Sequence, residues 1–362
     1  MKQIVFTRGV PAEESFPVEE IVAAAGAILR EKGAVLLQYG PALGFAPLRE
    51  WLAEWQGVRP DQILTGNGSL ELVEFLCRHL IEPGDVVFTE RPTYDRTITL
   101  LRRHGAAIVD VPMEADGPDV DFVEERLKER VPKFFYVIPD FQNPTGITAS
   151  AGKRRRIAEL ASRYGFLILE DSPYRLLRYA GREEPTLRQL APDRTLHMTS
   201  FTKLIAPGVR VGFMVGDRDL LAKVAKVAED TYISPGYAAH GITYEWCRRG
   251  LLGPQVEKLK RLYAPRLEAC LDALDRHMPG QCIARPEGGF FVSLFLPDGV
   301  STTAVRESAA RLDLVLSDGR AFFPNGGGER FLRLPYCALS PDQIREGIAR
   351  LAQAVEQVSG GS

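Results

Sequence analysis

At 362 residues the chain is too long for a single ordinary hydrophobic core and suits a large lobe with a smaller one. Hydrophobic residues at 45%, charged residues at 25% and a net charge of -2 describe a globular protein with no electrostatic reason to hold nucleic acid or an anionic membrane, so a small substrate is expected. The five cysteines are odd in number, the five histidines are scattered, and no stretch suits a signal or membrane span, which argues against a disulfide framework, a metal site and a membrane anchor and for the cytoplasm.

The N-terminal segment holds Gly9, Pro11 and Pro17 and reads as irregular chain crossing the surface, ahead of a first helix over Val18 to Glu31. From Ser69 to Val215, helix-like and strand-like segments alternate. Leu72, Leu76 and Leu80 mark a helix, Val86 to Phe88 a strand, and Tyr94 to His104 another helix. Strands are then expected at Ala107 to Val111, Phe134 to Ile138, Phe166 to Leu169, Leu196 to Thr199 and Phe213 to Val215. Several are nearly unbroken apolar runs, as for strands covered on both faces, so the alternation predicts a parallel sheet between helices. The run Lys153 to Arg156 is expected on a solvated helix face. Beyond Asp217 long helical patterns dominate, notably Pro254 to Met278, and the C-terminal part mixes helices with strands at Phe290 to Leu296 and Phe331 to Leu334. The last helix opens at Ser340-Pro341-Asp342-Gln343, a capping signature, and Ser359 to Ser362 is expected to be disordered.

Five segments near predicted strand ends carry complementary chemistry. Ser200-Phe201-Thr202-Lys203 follows the strand ending at Thr199; a partly desolvated lysine beside hydroxyls suits imine formation, although a lone loop lysine is most often a surface charge. Asp171 closes the apolar strand that begins at Phe166, where a buried carboxylate can pair with a protonated ring nitrogen, and Tyr174 follows; a helix cap with an ordinary tyrosine reads equally well. Asn143 opens Asn143-Pro144-Thr145-Gly146, a turn by composition whose amide can donate to a phenolic oxygen. Gly66-Asn67-Gly68-Ser69 feeds a helix N-terminus, where backbone N–H groups suit a phosphate, though a flexible loop with a Ser cap is common. Arg210, shortly after the lysine, adds a guanidinium suited to phosphate.

In this order and spacing, Asn-Pro-Thr-Gly, Asp-x-x-Tyr, Ser-x-Thr-Lys and Arg-x-Gly resemble the fold type I pyridoxal 5′-phosphate (PLP) enzymes of the class I/II aminotransferase family, over nearly the whole chain. The branch of 2-aminoadipate, kynurenine and aromatic aminotransferases is similar in texture at Gln38-Tyr39-Gly40 through Pro47-Leu48-Arg49, Pro92-Thr93-Tyr94, Gly288-Gly289-Phe290-Phe291 and Phe331-Leu332-Arg333-Leu334. The resemblance implies an α/β fold with a large PLP-binding domain over residues 41–250, built on a mainly parallel seven-stranded sheet between helices. A smaller α+β domain would cover 251–362, joined by an N-terminal segment over 1–40. It further implies that Lys203 holds PLP as a Schiff base and shuttles the proton, that Asp171 partners the pyridine nitrogen, and that Asn143 and Tyr174 bond the phenolate oxygen. Tyr94 would stack on the ring. Gly68, Ser69, Leu70, Ser200 and Arg210 would surround the phosphate, with Tyr39 reaching the phosphate of the neighbouring subunit in a homodimer. Arg333 would clamp the substrate α-carboxylate, with Asn143 and Gly9 beside it.

The chain also departs from the family's pattern. Relatives usually carry glutamines where it has Leu70 and Glu71, a small residue where it has Arg8, and often an aromatic where it has Ser293. Leu70 can still offer its backbone, Arg8 either pairs with an acidic substrate such as glutamate or 2-aminoadipate or lies on the surface, and Ser293 implies a changed substrate pocket. The implied activity moves an amino group from an L-amino acid to a 2-oxo acid, 2-oxoglutarate in most of the family, by ping-pong half-reactions. A C–S lyase or a decarboxylase uses the same constellation, and the motifs do not separate them. A PLP-sensing regulator calls for a DNA-binding domain, whereas the likeness begins almost at Met1.

Overall fold

The computed structural model describes residues 2–360. In chain order the strands are β1 (Ile4–Phe6), β2 (Ile63–Gly66), β3 (Val86–Arg91), β4 (Ala107–Glu114), β5 (Gly117–Pro118), β6 (Phe134–Val137), β7 (Leu167–Asp171), β8 (Thr195–Ser200), β9 (Gly212–Val215), β10 (Phe291–Phe295), β11 (Leu314–Leu316) and β12 (Phe331–Pro335). The large sheet runs β2-β9-β8-β7-β6-β3-β4-β5. Strands β4, β3, β6, β7 and β8 pair in parallel, while β9 is antiparallel to both β8 and β2. The expected α/β architecture is therefore present, with the two-residue β5 extending the sheet to eight strands. Strand β2 lies outside the predicted segments because its four residues run directly into a glycine-rich turn.

The topology places the site. From β3 the chain steps to β4 on one side, and from β6 it steps to β7 and β8 on the other, so the order reverses between β3 and β6. Crevices open beyond the carboxyl ends of strands at such a reversal. The loops after β3, β6, β7 and β8 all emerge there, carrying Tyr94, Asn143, Tyr174 and Lys203. These strands are buried almost throughout, which fixes the directions of their last residues.

A second core forms around the C-terminal third. Strands β10 and β12 pair antiparallel, and the helix Leu252–His277 packs against the helix Pro341–Ser359. The N-terminal segment differs from the expectation of surface chain. Ile4 and Phe6, on β1, are buried in this core and β1 pairs in parallel with β11. Each such burial contributes about 1.5–3 kcal/mol, which outweighs the turn-forming residues that follow. The first helix, Val18–Leu36, runs beyond Glu31 and packs on the helix Tyr237–Arg248.

Further corrections concern single side chains. Arg154 is not on a solvated face: it is fully buried and donates to Asp140 at 2.8 Å and to the carbonyls of Pro139 and Ala149. Ser293 does not itself line the cavity at this crevice; it is fully buried and its Oγ donates to the Pro144 carbonyl at 2.6 Å, bracing the loop that carries Asn143. Ser340 and Gln343 form the expected capping box. Ser359 instead closes the last helix, with its Oγ donating to the Val355 carbonyl, and Gly360 caps it; Gly361 and Ser362 lie outside the described residues.

Candidate active site

A cavity of about 680 Å³ opens at the predicted crevice. Strand β8 delivers Ser200, and the turn that follows brings Lys203 to the cavity, anchored by the buried Phe201. Lys203 Nζ donates to the Gly9 carbonyl at 2.8 Å. Burial pushes its ammonium down to about 8, and the positive charges of Arg333 and Arg210 act in the same direction. An amine with that poise is a nucleophile near neutral pH.

Asp171, the last residue of β7, is buried at 7% exposure. The Tyr136 hydroxyl donates to its Oδ2 at 2.7 Å, whereas its Oδ1 is buried with no partner. Burial raises the carboxyl to about 6, against the hydrogen bond from Tyr136 and the charges of His197 and Lys203. A buried carboxylate oxygen without a donor is costly, so this position calls for a cationic N–H.

At the opposite wall, β12 presents Arg333 between two rings: Phe291 lies 4.7 Å and Phe322 4.6 Å from its guanidinium carbon. The rings hold the guanidinium flat by cation–π attraction. Nη1 donates to Asn143 Oδ1 at 2.9 Å, Nη2 donates to the Thr7 carbonyl at 2.8 Å, and Nε is buried without a partner. Because Oδ1 of Asn143 is committed to Arg333, its NH₂ group is what can serve an acceptor. Gln142 braces this loop, donating to buried Glu90 and to the Pro92 carbonyl while accepting from the Thr145 backbone.

The phosphate-suited end gathers Ser69 and Leu70, at the start of the helix Ser69–Leu80, with Ser200 and Arg210. Gly68 has φ +97°, a conformation that favours glycine, and a Cβ there would stand 2.5 Å from Arg210 Nη2 and push that guanidinium aside. Arg210 itself has φ +51°, a strained backbone of the kind found at functional sites, and its Nη2 donates to the Asn67 carbonyl at 2.8 Å. Backbone N–H groups, hydroxyls and a guanidinium together suit a dianion.

Tyr94, Tyr174, Gly9 and Arg8 also line the cavity. Tyr174 packs against Phe290 and Phe291 at 5.6 Å. Gly9 is another place where size matters, since a Cβ would lie 2.4 Å from the Phe291 ring. Arg8 is exposed and has no hydrogen-bond or ion-pair partner among the described residues. Two predicted residues stand apart: Gly68 sits behind Arg210, and Tyr39 is 71% exposed and does not line the cavity within this chain. Sequence reading missed Tyr136, Phe322 and the Gln142–Glu90 brace. Tyr136 looks like core filler in the run Phe134-Phe135-Tyr136, and Phe322 sits in an irregular segment without periodicity. Among the described residues, no helix is long and apolar enough to cross a membrane and no His/Cys/Asp/Glu group suits a metal.

A ligand that answers to all these groups carries an aldehyde for the lysine, a basic ring nitrogen for the carboxylate and a phosphate for the helix N-terminus. Pyridoxal 5′-phosphate has that chemistry, and the residues present fit it; fold and site define a fold type I PLP enzyme. The family model for aminotransferase class I and II matches residues 2–351, so the chain belongs to the class I and II aminotransferases. It is a PLP-dependent aminotransferase. It is 37% identical over 356 residues to the 2-aminoadipate transaminase of Thermus thermophilus, covering 97% of this chain and 89% of that protein. Aromatic-amino-acid aminotransferase 1 of Thermococcus litoralis is 34% identical, covering 96% of this chain and 87% of the other. Among solved structures, α-aminoadipate aminotransferase from Thermus thermophilus, complexed with N-(5′-phosphopyridoxyl)-L-leucine, superposes with a TM-score of 0.95 at 36% identity, covering 99% of this chain and 94% of that one.

Proposed function

We propose that the enzyme moves the amino group of an L-amino acid to 2-oxoglutarate, with Lys203 as the amine that joins PLP in a Schiff base. The observation that carries this reading is the convergence of the Lys203 amine, the unpartnered Asp171 oxygen and the aromatic-clamped Arg333 on a single cavity. When bound, PLP supplies an electron sink for the substrate's α-carbon. Asp171, as a carboxylate, would accept a hydrogen bond from the protonated ring nitrogen and so keep the proton there. Asn143 and Tyr174 would serve the phenolic oxygen, Tyr94 would cover the ring, and Ser69, Leu70, Ser200 and Arg210 would hold the phosphate, with Gly68 shaping the turn behind Arg210. Arg333 binds the α-carboxylate of donor and acceptor in turn, exchanging its bond to the Thr7 carbonyl for the substrate, with Asn143 and Gly9 framing that end. As a free amine, Lys203 Nζ would take the substrate's α-proton and pass it to the cofactor's former aldehyde carbon, and would carry it back the other way for the acceptor.

Arg8 supports a preference for acidic side chains, because it is a cavity-lining cation with no partner among the described residues. A homodimer is supported by exposed apolar side chains, with Val18, Val22 and Leu29 on one face of the first helix and Val35, Leu37 and Tyr39 beyond its kink, which suit a second copy better than water. The pairing of β1 with β11 supports a smaller domain that takes the first strand of the 1–40 segment together with 251–362, while the helix Val18–Leu36 packs on the 41–250 domain. The five free thiols suit a reducing cytoplasm. The test is a single-turnover assay with an amino acid and no acceptor. Transamination yields one equivalent of 2-oxo acid per site without free ammonia; ammonia with pyruvate would indicate a lyase, and carbon dioxide a decarboxylase.

A further inference from the structure

Tyr136 and Asp171 stand on adjacent parallel strands. Tyr136 is in register with Leu169, two residues before Asp171, so both side chains leave the same face of the sheet. The phenol is wholly buried and its hydroxyl donates to Asp171 Oδ2 at 2.7 Å. Its neighbours Phe134 and Phe135 fill the same sheet without a polar atom, and a phenylalanine would fill the volume at 136 equally well. A buried hydroxyl needs a polar reason to be there. Asp171 supplies one, since its other oxygen is buried and unpartnered.

We infer that Tyr136 is a positioning residue: its hydroxyl fixes the Asp171 carboxylate and favours its anionic form, so that the proton between Asp171 and the cofactor's ring nitrogen stays on the nitrogen. This rests on the assignment of Asp171 to that nitrogen. A hydrogen bond to the charged form of a carboxylate favours that form, and here it opposes the burial that raises Asp171. Lys203 and His197 add positive charge on the same carboxylate, while Glu90 and Tyr94 lie in the same electrostatic neighbourhood. Burial and the Asp171 charge hold the Tyr136 phenol well above its ordinary range, so it remains a donor at working pH.

The test is Tyr136→Phe, reconstituted with PLP labelled with ¹⁵N in the ring and compared with wild type by nitrogen NMR, alongside kcat, KM, PLP content and Tm. The wild-type ring should resonate as a pyridinium. In the variant the signal should move toward neutral pyridine, with kcat down about 10- to 100-fold, the usual cost of losing a bond that orients a primary contact. KM should change less than kcat. If Tyr136→Phe loses PLP, Tyr136→His is measured in its place; a pyridinium signal there, with the donor restored, supports the role, and a neutral ring overturns it. An unchanged pyridinium signal with normal kcat in Tyr136→Phe overturns the role of Tyr136 alone. A neutral ring in wild type removes the Asp171 assignment and the proposal with it.

Discussion

Arg333 Nη1 donates to Asn143 Oδ1 at 2.9 Å across 190 residues of chain, tying β12 to the loop after β6. A residue proposed for the substrate carboxylate thereby sets a residue proposed for the cofactor. The same guanidinium is clamped between Phe291 and Phe322, so its plane is fixed before any ligand arrives.

Arg333→Lys tests that arrangement. Lysine keeps the charge but loses the flat fork and the ring contacts, and a charge-assisted bond is worth about 1.5–3 kcal/mol. KM should rise about 10- to 100-fold for both amino acid and 2-oxo acid, with PLP content unchanged. A rise for only one of the substrates would place the carboxylate clamp elsewhere.

Lys203 leads to a pH prediction. With its ammonium pushed down to about 8 by burial, the neutral amine becomes the major form above that pH. Capture of PLP by apoenzyme, followed by absorbance, should accelerate about tenfold per unit below pH 8 and level off above it. A midpoint near the ordinary lysine value of about 10.4 would show that burial does not set the amine's reactivity.

Much of this site was legible because strand ends are legible. Apolar runs ending in Asp171, Ser200 and the Asn143 loop announce side chains delivered to the sheet's carboxyl edge. The burial of β1 was not, since three residues carry no period and partner β11 lies more than 300 positions away. Arg154 illustrates the same limit: a basic run looks solvated until Asp140 and two carbonyls are known to meet it. Tyr136 was hidden for the opposite reason, because its ring obeys the apolar pattern and only its hydroxyl does not.

Arg8→Ala addresses specificity. Arg8 is exposed, so its attraction for a substrate carboxylate is screened and worth about 0.2–1 kcal/mol. The ratio of kcat/KM for glutamate over leucine should fall by about 1.4- to fivefold, and the difference should shrink in high salt. An unchanged ratio would make Arg8 a surface charge.

The last prediction concerns what Asp171 costs the protein without its cofactor. Its folded carboxyl is raised from 3.8 to about 6, chiefly by burial. A group raised on folding adds stability below its unfolded value, and that contribution is lost as pH rises through the folded one. At pH 8 the apoenzyme therefore holds an anion that the unfolded chain hydrates better, at a cost of about 2–3 kcal/mol. Asp171→Asn removes the charge and keeps an oxygen for the Tyr136 hydroxyl, so the apo variant should be more stable than wild type at pH 8. The gain should shrink as pH falls through 6 and vanish near 4, because both side chains are then neutral. PLP should reverse the order in the holoenzymes, since the ring nitrogen's proton pairs only with the carboxylate, and turnover of the variant should fall by about two or three orders of magnitude. Urea unfolding of both apoenzymes from pH 4 to pH 8 decides the matter. A variant less stable at pH 8, or a gain that does not depend on pH, would show that Asp171 is not a strained anion awaiting its partner.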